Sequence, residues 1–117
     1  MAFASVDAKT LAAWETEGQT FFARIENGAP TTPVASPGKS GRQRHPTLAA
    51  NGREVLLAWT EGMGWNKGGS LAWQVYDAND RPAMNAKSAE YGRADGVPVW
   101  SLISAVALPD GRFAIVY

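Results

Sequence analysis

One short stretch of this chain occurs twice in closely similar form and a third time in a weaker version. Leu11-Ala12-Ala13-Trp14-Glu15-Thr16-Glu17-Gly18 returns as Leu56-Leu57-Ala58-Trp59-Thr60-Glu61-Gly62, with the two tryptophans 45 positions apart. Phe113-Ala114-Ile115-Val116-Tyr117 is the third copy, with Tyr117 in the tryptophan place. Self-similarity at such a period marks repeat architectures, in which each unit is one supersecondary element that buries its apolar face only against the next.

Each copy is preceded by a short apolar run and a turn: Ser5-Val6-Asp7-Ala8 then Lys9-Thr10, Thr47-Leu48-Ala49-Ala50 then Asn51-Gly52-Arg53, and Ala105-Val106-Ala107-Leu108 then Asp110-Gly111-Arg112. Asn-Gly and Asp-Gly between apolar runs predict β-hairpins with positive φ at both turn residues. After the first two hairpins come further strand-like runs, residues 19–25 and 70–76, ended by Glu26-Asn27-Gly28-Ala29-Pro30 and Asp77-Ala78-Asn79-Asp80-Arg81-Pro82. Segments rich in Pro, Gly, Ser and Ala follow, with room for a fourth, outer strand. The expected strand order is A-B-C-D, A-B-C-D, A-B.

Four antiparallel strands per unit of this length is the pattern of a β-propeller blade. The fold class expected is therefore all-β, a propeller fragment of about two and a half blades. Blade 1 covers about residues 3–43, blade 2 about 44–101, and the A-B hairpin of blade 3 about 102–117. The best helical candidate, residues 84–91, is short and contains Asn85 and Ser88, and is expected as loop or edge strand. An immunoglobulin-like sandwich also uses short strands, but it does not repeat its sequence at blade length.

Composition removes several classes of function. Eleven basic residues balance eleven acidic ones, leaving no net field to recruit a nucleic acid or an anionic membrane. There is no cysteine and only one histidine, His45, so cysteine-ligated or histidine-rich metal sites and a His-based triad with Ser are not expected, nor is any cofactor. No stretch approaches the roughly 18 apolar residues of a membrane-spanning helix, and the opening residues MAFASVDAKT lack the basic and apolar regions of a signal peptide.

The run Arg44-His45-Pro46-Thr47-Leu48-Ala49-Ala50-Asn51-Gly52, the LLAWTEG unit, Gly96-Val97-Pro98-Val99-Trp100-Ser101 and the ending Pro109-Asp110-Gly111-Arg112-Phe113-Ala114-Ile115-Val116-Tyr117 together resemble the C-terminal blades of bacterial sialidase-like, BNR-type propellers. The turn between strands C and D departs from that family's Asp-box, S-x-D-x-G-x-T-W. It keeps Asp77 but has none of the Ser, Gly, Thr and Trp. The resemblance implies a carbohydrate ligand and an extracellular or periplasmic setting. Family enzymes draw an arginine triad, a Tyr-Glu pair and an Asp acid/base from many blades, so no complete catalytic set is expected here. If the chain belongs to an enzyme at all, the resemblance implies a glycoside hydrolase.

In a blade, the D-to-A and B-to-C connections emerge on one face, and these supply the candidate ligand residues. The second B-to-C loop, Glu61-Gly62-Met63-Gly64-Trp65-Asn66-Lys67-Gly68-Gly69, is about six residues longer than the first. Trp65 either stacks on the apolar face of a sugar or packs over the blade edge, while Asn66 and Lys67 offer donors to hydroxyl groups. Arg44 either binds a carboxylate with its two-pronged guanidinium or pairs with a neighbouring acid on the surface. Trp100, in a D-to-A connection, is a further ligand contact. Glu61 joins the set through its loop, although Glu17 corresponds to it in the first repeat, which suggests a structural task. Trp14, Trp59 and Trp73 are expected to pack between blades.

Three functions remain in play: a glycan-binding propeller, part of a sialidase-type hydrolase, and a structural or protein-binding module. Propellers close with roughly four to eight blades, so the chain is expected to self-associate or to join the remaining blades of a longer polypeptide. Three copies would give six blades.

Overall fold

The computed structural model describes residues 2–6, 9–38, 42–64, 66–83, 92–99 and 101–117, the backbone alone for 2–6 and 9. The chain is all-β and its sheets are antiparallel. β1 (Ala2–Val6), β2 (Lys9–Thr16) and β3 (Gln19–Glu26) form the first sheet in sequence order, and β3 also pairs with the two-residue strands β4 (Ala29–Pro30) and β5 (Val34–Ala35). β6 (Gln43–Ala50), β7 (Val55–Glu61), β8 (Gly69–Tyr76) and β9 (Gly92–Val97) form the second, again in sequence order. β10 (Ser104–Ala107) and β11 (Phe113–Val116) make a hairpin of their own. The helical candidate at 84–91 lies outside the described residues.

The turns divide differently from the expectation. The two-residue turns with positive φ at both positions are Glu17-Gly18 (52° and 76°) and Asn27-Gly28 (52° and 78°). At Asn51-Gly52 only the glycine has positive φ. There the Asn51 side chain accepts the backbone N–H groups of Arg53 (3.0 Å) and Glu54 (2.8 Å), closing a wider loop. Asp110-Gly111 behaves alike: Gly111 alone has positive φ, and the Arg112 N–H is held by the Asp110 carboxylate at 3.0 Å. An Asn or Asp side chain that mimics a backbone acceptor makes the second positive φ unnecessary. The outer strand of the first sheet is broken into β4 and β5 because Pro30 and Pro33 lack ladder donors.

The sheets pack face to face. Leu11, Ala13 and Phe22 of the first meet Leu48, Val55, Leu57, Trp59, Ala72 and Tyr76 of the second in one buried cluster. On the far face of the second sheet, Ala58 and Leu71 pack with Val97 and Ile103, and Met63, Trp73, Ala94 and Ile115 border them. β7 is therefore covered on both faces. This is why VLLAWTE is a continuous apolar run with its first six residues buried instead of an alternating one. Full burial of Phe22, Trp59 and Tyr76 contributes about 1.5–3 kcal/mol each, making this stacking the main cohesive term. A partly buried ion pair, Arg24 Nη2 to Asp80 Oδ1 at 2.8 Å, ties the first sheet to the turn after β8.

The two tryptophans of the repeat differ in burial. Trp59 is fully buried beneath the first sheet, whereas Trp14 is only half-buried. Trp14 stacks on Phe21 at 5.9 Å between centroids, on the face turned away from the second sheet. The same residue type at the same repeat position is a core residue only where another sheet lies over it.

Candidate functional site

The start of β6, the end of β7 and the start of β8 meet at one end of the second sheet, where the sequence places the candidate ligand residues. β6 begins at Gln43, so Arg44 lies within the strand, opposite Thr60. A bulge between Arg44 and Thr47 interrupts the ladder, with His45 at φ 54°. His45 Nδ1 lies 3.0 Å from the Thr60 hydroxyl, which donates to the Arg44 carbonyl at 3.1 Å. The bulge is thus pinned from inside while the Arg44 side chain is exposed. Its guanidinium makes no hydrogen bond or ion pair with any described residue.

In the long loop, Gly64 and Lys67 exchange backbone hydrogen bonds at 3.4 and 3.2 Å, and Asn66 has φ 51°. Asn66 and Lys67 are exposed. Gly68 and Gly69 are demanded by space, since a Cβ would fall 2.4 Å from the carbonyl oxygens of Val97 and Glu61 respectively. Trp65 and Trp100 lie outside the described residues. Among the described ones, Arg42, Arg44 and Lys67 are exposed cations at this end without an acidic partner.

Glu61 has a different setting. One carboxylate oxygen accepts the Trp59 indole N–H at 2.9 Å and the other lies 3.1 Å from Arg93 Nη2. It orients a core tryptophan and links β7 to β9 across β8. Nor is Glu17 its structural counterpart. Aligning Trp14 with Trp59 puts Thr16 opposite Glu61 in the repeat, and Glu17 sits in the turn at φ 52°.

A buried polar cluster that sequence reasoning missed underlies this end. The Gln43 side chain, fully buried, accepts the Thr20 backbone N–H at 3.0 Å, faces the Thr20 hydroxyl at 3.2 Å, and donates to the Pro37 carbonyl at 2.8 Å. The Ser36 hydroxyl also donates to the Gln43 amide oxygen. Gln43 therefore fastens the first strand of the second sheet to β3 and to the segment after β5. In sequence it sits between two arginines, which reads as surface, so no local signal marks it.

Among the described residues, no group of three His, Asp or Glu side chains could hold a metal ion. The arrangement supplies cationic and amide donors on a rigid sheet end, which suits a polar or anionic ligand. No protein family, curated protein or solved structure matches this chain.

Proposed function

We propose that this chain is a segment of a sialidase-like β-propeller that binds glycans at the end of the second sheet. The observation that supports this reading is the group of exposed cations Arg42, Arg44 and Lys67, unpaired among the described residues, beside the Gly64–Lys67 bridge. Arg44 takes a ligand carboxylate through its two parallel N–H groups, and Asn66 and Lys67 bond hydroxyl groups. Trp65 and Trp100 supply the stacking faces. Glu61 supports the site from within by fixing Trp59.

The sheets serve as blades in this reading, and the open face bearing Trp14 and Phe21 is covered by the hairpin of another copy, so that three copies bring six blades and three two-stranded hairpins into one ring. Individually weak sites on such an assembly gain avidity from repetition. Calorimetric titration with sialylated and neutral oligosaccharides tests the ligand: saturable millimolar binding is expected, weakened at least fivefold in Arg44→Ala and in Asn66→Ala. No heat at millimolar sugar, or variants that bind unchanged, would remove the reading.

A further inference from the structure

On the far face of the second sheet lies an open apolar groove of about 670 Å³, lined by Leu71, Trp73, Val75, Ala94, Phe113 and Ile115 among others. The internal repeat says what such a groove is shaped to receive. In the first sheet, Phe22 pairs with Ala13, and in the second, Trp73 pairs with Ala58. Because Ala13 and Ala58 are equivalent, so are Phe22 and Trp73. Phe22 is covered by the next sheet's third strand through Tyr76, whose ring lies 4.7 Å away. Over Trp73 the corresponding layer stops at two strands, β10 and β11.

The hairpin sits on the β6–β7 half of the second sheet, where the Ala105 N–H bonds the Thr47 hydroxyl at 3.1 Å and Ile115 packs against the second cluster. The β8–β9 half is left as the floor of the groove. Among the described residues, β11 pairs only with β10, so its other edge carries free backbone donors and acceptors. A strand added there would lie about 4.8 Å from β11, above β8. Among the described residues, the exposed large apolar side chains are Val99, Leu102, Val106, Val116 and Tyr117, all in this last part of the chain. An exposed edge beside an apolar floor is the setting for strand addition.

We propose that β11 and the groove accept an extended polypeptide strand, antiparallel to β11, with a large apolar side chain opposite Phe113 seated on Trp73. The register follows from the second sheet, where Tyr76 stands opposite Val55, the repeat counterpart of Phe113. Backbone hydrogen bonds supply affinity, and the apolar seat over Trp73 selects the side chain. The proposal rests on the repeat geometry and stands apart from the glycan reading.

The probe is a labelled peptide with the sequence of residues 69–76, added to the whole chain and followed by fluorescence anisotropy and by the amide signals of residues 113–117. Saturable binding that shifts those signals is expected. Affinity should fall at least tenfold when the peptide's last residue is changed to Gly, or when the protein carries Trp73→Ala. Two N-methylated peptides, blocked on alternate backbone edges, separate strand pairing from apolar adhesion: one should lose binding and the other keep it. No binding of the parent peptide, equal binding of both methylated forms, or binding indifferent to the final side chain would overturn the proposal.

Discussion

Replacing Gln43 with Ala tests how the two sheets are joined. The substitution removes the acceptor of the Thr20 backbone N–H and the donor to the Pro37 carbonyl, whereas the Thr20 and Ser36 hydroxyls keep each other at 2.8 Å. Two backbone groups are thus orphaned, the Thr20 N–H in a buried place and the Pro37 carbonyl in a partly buried one. A fully buried loss of this kind costs about 1–3 kcal/mol and a partly buried one less, giving ~2–5 kcal/mol for the pair. That is a large part of a total stability of about 5–15 kcal/mol. Urea unfolding followed by tryptophan fluorescence, at one fixed protein concentration, reads the change. With a slope of about 2 kcal/mol per molar urea, the midpoint should fall by ~1–2.5 M at unchanged slope. Gln43→Leu, which fills space but bonds nothing, should be nearly as damaging, and Gln43→Glu, which keeps the acceptor and loses the donor, should be destabilised too. A Gln43→Ala protein within ~0.5 kcal/mol of the parent, the range of an ordinary surface substitution, would refute the assignment of Gln43 as the fastening between sheets.

Two further outcomes are expected. Gly92→Ala puts a methyl group 2.1 Å from the Trp73 ring and should destabilise by about 1–3 kcal/mol, whereas Gly64→Ala, with no atom within 4 Å, should be nearly silent by the same urea titration. Burial pushes the Tyr76 phenol far above its ordinary range. The folded state then binds a proton that the unfolded state releases above pH ~10, so this contribution is full below that pH and falls as pH rises past it. Tyr76→Phe should flatten the alkaline decline in urea-measured stability, and an equally steep decline in the variant would count against the assignment.

The strands were legible because each apolar run has its own length and ending. The third strands of both full sheets, β7 and the hairpin near the C-terminal end lie within one residue of where their sequences place them, whereas Lys9 and Thr10, expected as a turn, belong to β2 and pair with Val6 and Ser5. The turns were less so. Glu17-Gly18 forms a tight turn although Glu is no turn former, because the strands on either side leave only two residues to reverse the chain. Trp14 and Trp59 sit in near-identical sequence surroundings, and only the stacking order of the sheets separates a half-buried ring from a fully buried one. Of the candidate site, Arg44 lies within β6 instead of in the connection before it, and Asn66 and Lys67 lie in the loop between β7 and β8. Glu61 bonds Trp59 and Arg93 through contacts set by strand pairing, and Gln43 meets Thr20 across 23 positions of sequence; neither partnership has a local signature.

The central claim is that these sheets are blades of a larger ring, with the Trp14 face of one copy seated on the outward hairpin face, bearing Val106 and Val116, of the next. Light scattering of three preparations tests it directly: the parent chain, Trp14→Glu, and Val116→Glu. The account predicts a trimer for the parent, a monomer for each variant alone, and a dimer when the two variants are mixed, because each retains the face the other has lost. A parent chain that stays a monodisperse monomer, or variants that fail to complement, would contradict it.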